Sequence, residues 1–138
     1  MPDSQMYDLT DLEVAVLEKI LAGNDEVLSC LRAQLPFAKA SCREHTGVGQ
    51  FTDMAFSSPV TPIEGEPSFG IGGVVAEVNG VPYGGGFRLY IEKGLVNCLE
   101  IHAFGGEWPT LVTSFSLQYG NGGHRDLDAL RLTPGWPK

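Results

Sequence analysis

Residues 69–109, FGIGGVVAEVNGVPYGGGFRLYIEKGLVNCLEIHAFGGEWP, constrain this chain more than any other stretch. Three apolar segments of period two are joined there by Asn79-Gly80 and Lys93-Gly94, pairs that favour tight turns between antiparallel strands. The stretch therefore reads as an antiparallel meander. In its first strand Val74, Ala76 and Val78 alternate with Glu77 and Asn79. A turn extending through Pro82 and residues 84–86 leads to the second, where Phe87, Leu89 and Ile91 alternate with Arg88, Tyr90 and Glu92. In the third, Leu95, Leu99, Ile101 and Ala103 share one face, and Val96, Cys98, Glu100, His102 and Phe104 the other.

Ahead of the meander the period is helical. Thr10 with Glu13 forms a capping box, and Leu9, Leu12, Val16, Leu17, Ile20 and Leu21 make one apolar stripe. Gly23 ends this helix, and Asn24 reads as the N-cap of the next, with Asp25 and Glu26 in its first turn. Val27, Leu28, Leu31 and Leu35 carry the second stripe to Pro36, so the pair forms a helical hairpin. FAKASCREHT, GVG and QFTDMAFS then read as strand, turn, strand. Lys39, Ser41, Arg43 and His45 fall on one face of that first strand, and Ala38, Ala40, Cys42, Glu44 and Thr46 on the other. Residues 57–68 hold three prolines and no periodicity, as expected of a surface loop. After the meander, Leu111, Thr113, Phe115, Leu117 and Tyr119 alternate clearly enough to predict a further strand.

Helices first and strands after predict an α+β fold, with an N-terminal helical hairpin packed on an antiparallel sheet of five or six strands. The 138 residues make one domain, with residues 1–8 as a loose lead-in and residues 120–138 as a tail.

Charge narrows the function. The net charge is −8, and residues 1–26 hold seven acids against the single base Lys19. Such a surface disfavours nucleic acid and anionic membrane, both of which call for Lys and Arg clusters; it suits a basic protein partner, and the needs of solubility account for it equally. No apolar run approaches a membrane span, and the acidic start lacks the pattern of a signal peptide, so a cytoplasmic location is expected. Cys30, Cys42 and Cys98 have no metal-ribbon spacing and read as free thiols.

Chemical motifs are scarce. Gly70-Ile71-Gly72-Gly73 precedes a strand rather than a helix, so it reads as turn and bulge residues instead of a phosphate loop. No phosphate-binding, nucleophile-elbow or zinc-protease motif occurs, and no cofactor is implied. Alternation would place Cys98, Glu100 and His102 on one face, where they could converge on a metal with His45, but buried Cys98 and solvated Glu100 and His102 account for the spacing equally well; no metal is assigned. Glu77, Glu100 and His102 remain candidates for ligand binding or acid–base chemistry. Cys42 and His45, three apart on a strand, face opposite sides, so a catalytic cysteine is not expected there. Glu107 and Trp108, in a Gly-Gly-x-x-Pro loop, are candidate partner contacts, and Trp108 either anchors a partner or packs back on the sheet. Asp11 and Glu18 on the acidic first helix are the other partner-binding candidates.

CREHTGVGQFTD (residues 42–53) and CLEIHAFGGEWP (residues 98–109) resemble a family of small bacterial α+β proteins with a helical start, a TGVG hairpin and a late GEWP-type loop. In size, class and charge the chain also resembles the immunity proteins of polymorphic-toxin and contact-dependent inhibition systems. That second resemblance implies a non-catalytic inhibitor that binds a basic partner, such as a nuclease toxin. The alternative is a small-ligand-binding protein or enzyme using the Glu77, Glu100 and His102 face.

Overall fold

Thr10 starts the first helix, α1 (Asp11–Ile20). Its hydroxyl accepts the Glu13 N–H, and the Glu13 carboxylate accepts the Thr10 N–H at 2.8 Å, which closes the capping box. The structure, a computed structural model, describes residues 6–137. Leu12, Val16, Leu17 and Ile20 lie buried along one side of α1. The second helix, α2 (Glu26–Gln34), is capped by Asp25 rather than Asn24, because the Asp25 carboxylate accepts from both Val27 and Leu28 N–H. An ionised cap also faces the positive end of the helix dipole, which the neutral Asn24 could not match. Pro36 sits in the single 3₁₀ turn Leu35–Phe37 that ends the hairpin.

Six strands follow: β1 (Ala38–His45), β2 (Gly49–Phe56), β3 (Phe69–Val78), β4 (Val81–Glu92), β5 (Leu95–Ala103) and β6 (Phe115–Tyr119). They form one antiparallel sheet in the order β1-β2-β5-β4-β3-β6. The expected meander is its centre, and the expected α+β arrangement holds. A four-residue helix, α3 (Leu127–Leu130), follows β6.

Cross-strand register sorts the two faces into rows. Arg43, Thr52, Leu99, Leu89 and Ile71 are consecutive partners from β1 to β3, and Leu99, Leu89 and Ile71 lie in the core under the helices. Glu44, Phe51, Glu100 and Arg88 form a row on the opposite face. Among the described residues, the charged members of this outer row remain accessible.

Of the four register shifts in the sheet, three set this sorting; the fourth, at Ala76/Val78, adds two residues on β4 and leaves the faces as they are. A bulge between Ala40 and Cys42 reverses β1, so Arg43 shares the helix side with Ala38 and Ala40 while Cys42 and Glu44 turn outward. A second, on β5 between Val96 and Cys98, brings Val96 into the core and leaves Leu95 only half-buried. A third lies at Gly72-Gly73, where Gly73 has φ +92°, a conformation that costs glycine little. The glycine stretch before Val74 is thus bulged strand.

Residues 84–86, expected in a turn, lie inside β4, since the turn is only Asn79-Gly80 between paired Val78 and Val81. Leu111 and Thr113 lie outside β6, which begins at Phe115. The end of the chain is integral to the core. Trp136 packs on Phe69 with ring centroids 5.0 Å apart, Leu130 is buried, and Arg131 pairs with Asp25 at 2.8 Å. Arg125 also donates to the Lys19 and Ile20 carbonyls at the end of α1. At the other end, Tyr7 forms a bridge with Ala40, and Asp8 pairs with Lys39; the rest of the expected lead-in, residues 1–5, lies outside the described residues.

Candidate partner-binding surface

Three loops meet at one end of the sheet. Ala103 N–H donates to the Val48 carbonyl at 2.8 Å, Phe104 N–H to Gly84 at 3.0 Å, and Trp108 N–H to Gly47 at 2.9 Å. These bonds tie the β1–β2 turn, the start of β4 and the segment after β5 into one rim. Val48, Tyr83 and Phe104 project from it, 58%, 76% and 54% exposed. Glycine makes the arrangement possible. A Cβ on Gly105 would lie 2.8 Å from the Tyr83 ring, and one on Gly86 would lie 2.9 Å from the Phe104 ring. The bare backbones are the beds on which these rings rest. Phe104 also meets His102 edge to face, at 5.3 Å between centroids.

The rim opens onto the outer sheet face, which is acidic. It carries Glu44, Asp53, Glu77, Glu92 and Glu100 against Arg88 and Lys39, and Lys39 is already paired with Asp8. Arg88 lies 5.6 Å from the Tyr90 ring centroid, and its guanidinium covers Gly70. The Tyr90 hydroxyl donates to Glu100 Oε1 at 2.7 Å, and this carboxylate bond raises the tyrosine above its usual titration range. Cys98 is buried between Asp53 and Tyr90 in its row; burial first, and then Asp53, push its thiol up to about 12. A thiol so raised is protonated at neutral pH and a poor nucleophile.

This geometry separates the residues proposed for a ligand site. Glu100 is engaged by Tyr90, and His102 is two positions along the same strand, roughly 6–7 Å away. Glu77 lies on β3 opposite Ser116, with β4 intervening, about 10 Å or more from either. An acid–base pair needs hydrogen-bond reach, which this placement does not give. Among the described residues, no group of three or more His, Cys, Asp and Glu side chains is arranged to hold a metal ion.

The partner-binding candidates divide. Glu107 is exposed at the rim. Trp108 is not a surface anchor: it is 4% exposed and meets Phe87 edge-on at 6.3 Å, in space left open by Gly85. Asp11 is exposed and lines a cleft of ≈ 440 Å³ with Pro109 and Leu111, which brings it to the same end as Glu107. Glu18 is exposed two turns further along α1, roughly 10 Å away, beside a separate cleft lined by Val14, Leu35 and Pro36. Of the rim residues, the sequence marks Tyr83 as contact area without chemistry and gives Val48 and Phe104 no such role. The available signal was an aromatic next to a glycine pair, at Tyr83-Gly84-Gly85 and Phe104-Gly105-Gly106.

Comparison with protein-family models, curated proteins and solved structures gives no match. The functional reading therefore rests on this geometry. No helix among the described residues is long and apolar enough to cross a membrane.

Proposed function

We propose that this chain is a non-catalytic binding protein of the immunity-inhibitor type, which takes a basic protein partner such as a bacterial nuclease toxin in the cytoplasm. The observation that carries the reading is the join between a sheet face of largely exposed acidic side chains and a rim of exposed Val48, Tyr83 and Phe104. Aromatic anchors bordered by charge are the usual make-up of a tight protein contact, and the acidic field would speed the approach of a basic partner. Glu107 and Asp11 flank the rim and extend the same sign of charge. The net charge of −8 supports the same choice of partner.

The reading based on Glu77, Glu100 and His102 lacks a comparable observation, because those groups do not converge. The test is co-expression. Cells producing the basic toxin encoded beside this gene should survive when the chain is present, and the two proteins should co-purify. Absence of both protection and binding would sink the proposal.

A further inference from the structure

The two edges of the sheet are built differently. β1 carries Lys39, Arg43, Glu44 and His45, is interrupted by a bulge at Ser41, and is partly covered by Tyr7, which exchanges two 2.8 Å backbone bonds with Ala40. Charge, bulges and cover are the devices that stop an edge from pairing with another chain. Among the described residues β6 carries no charge of its own, no bulge and no bridging segment, and the nearby cations Lys19 and Arg125 lie over the Tyr119 ring rather than along the backbone edge. Its sequence is FSLQY, and its five pairs with β3 run without a register shift. Residues 108–123 contain no Asp, Glu, Lys or Arg, in a chain with nine basic and seventeen acidic residues.

The ladder determines which backbone groups point away from the sheet. Gly120 N–H donates to Gly73 at 2.8 Å, and Asn79 N–H donates to Ser114 at 3.1 Å. Even-numbered residues in this segment therefore bond to β3. Antiparallel alternation turns the backbone groups of Phe115, Leu117 and Tyr119 outward.

We propose that this edge pairs with the same edge of a second copy, antiparallel about Leu117, and joins two sheets into one. That two-fold sets Leu117 against Leu117 and Phe115 against Tyr119, so each outward-facing residue meets another. On the outer face it sets Ser116 against Gln118. The occupant follows from symmetry and local charge: the edge is self-complementary about Leu117, and residues 108–123 place no acidic or basic side chain of their own against the copy. The guarded β1 edge closes the assembly at two copies. A seam of five residues is small, so association belongs in the range of tens to hundreds of micromolar. The inference is independent of the partner reading above.

Sedimentation velocity tests it. The unmodified chain should pass from 14.8 kDa to twice that mass as concentration rises. S116K/Q118K places lysine opposite lysine, and S116E/Q118E places glutamate opposite glutamate. Each should remain at 14.8 kDa alone, and an equal mixture should regain the doubled mass. Both positions are exposed, so circular dichroism and melting should be unchanged. In the unmodified chain, the Leu117 amide should exchange about tenfold more slowly at high concentration than at low. A monomer throughout, a dimer that survives S116K/Q118K, or an unchanged Leu117 exchange rate overturns the proposal.

Discussion

Arg43 Nη2 lies 2.6 Å from Glu13 Oε1, while the other Glu13 oxygen accepts from the Thr52 hydroxyl at 2.7 Å. One carboxylate thus caps α1 and fastens it to both β1 and β2. Glu13 is 1% exposed, a cost met only because every side of the carboxylate is bonded. Glu13→Ala leaves the Arg43 charge without its partner and should cost about 3 kcal/mol, measured by urea denaturation.

The same group sets a pH dependence. Burial alone would raise the Glu13 pKa, but Arg43, the Thr10 N–H and the Thr52 hydroxyl outweigh it and hold the pKa below its ordinary 4.5. A lowered folded value means that the stabilisation is present above pH 4.5 and is lost as pH falls through the folded value. Melting temperature should therefore fall on acidification below about pH 4.5, less steeply in Glu13→Gln, whose side chain does not titrate. Parallel acid limbs in the two proteins would contradict this role.

Trp108 and Gly85 occupy one space from two sides. A Cβ on Gly85 would lie 2.7 Å from Trp108 Cζ3 and 2.6 Å from the His102 carbonyl oxygen. Gly85→Ala should cost about 2 kcal/mol through overpacking, and Trp108→Ala about 4 kcal/mol through the cavity it leaves. Thermal or urea unfolding measures both. A neutral Trp108→Ala would restore that residue as a surface candidate.

Trp136 makes the C-terminal segment part of the fold. Its ring is 7% exposed and packs on Phe69, so Trp136→Ala should cost about 3 kcal/mol. Removal of residues 124–138 should cost more, because it also releases Leu130, Arg125 and the Arg131–Asp25 pair. The unfolding midpoint in urea is the readout.

Local signals proved the legible ones. Thr10 and Glu13 are three apart and form their capping box, and Asn79-Gly80 turns between adjacent strands. Period two fails wherever a strand is bulged, since one extra residue exchanges the faces of everything beyond it. That is why plain alternation groups Arg43 with Lys39 and Val96 with Cys98, whereas the bulged strands put both on the helix side. The glycines of β4 resemble a turn because the rings that require them, Trp108 and Phe104, come some twenty residues later. The alternation of β6 announces a strand but not its partner, and neither the pairing of β6 with β3 nor the packing of Trp136 on Phe69 is written in any local period. The acidic character of the surface was readable from composition, whereas the rim exists only once three separate loops are joined.

Binding of a basic protein through the rim and the acidic face is open to calorimetry. The basic protein encoded beside this gene is titrated into the unmodified chain and into Tyr83→Ala/Phe104→Ala. Both side chains are exposed, so the variant should melt like the parent. Binding by the parent and about 100-fold weaker binding by the variant, a loss of about 2.7 kcal/mol, are the expected results, with Glu18→Ala unchanged. Equal affinity of variant and parent would contradict binding through the rim, as would no binding by the parent.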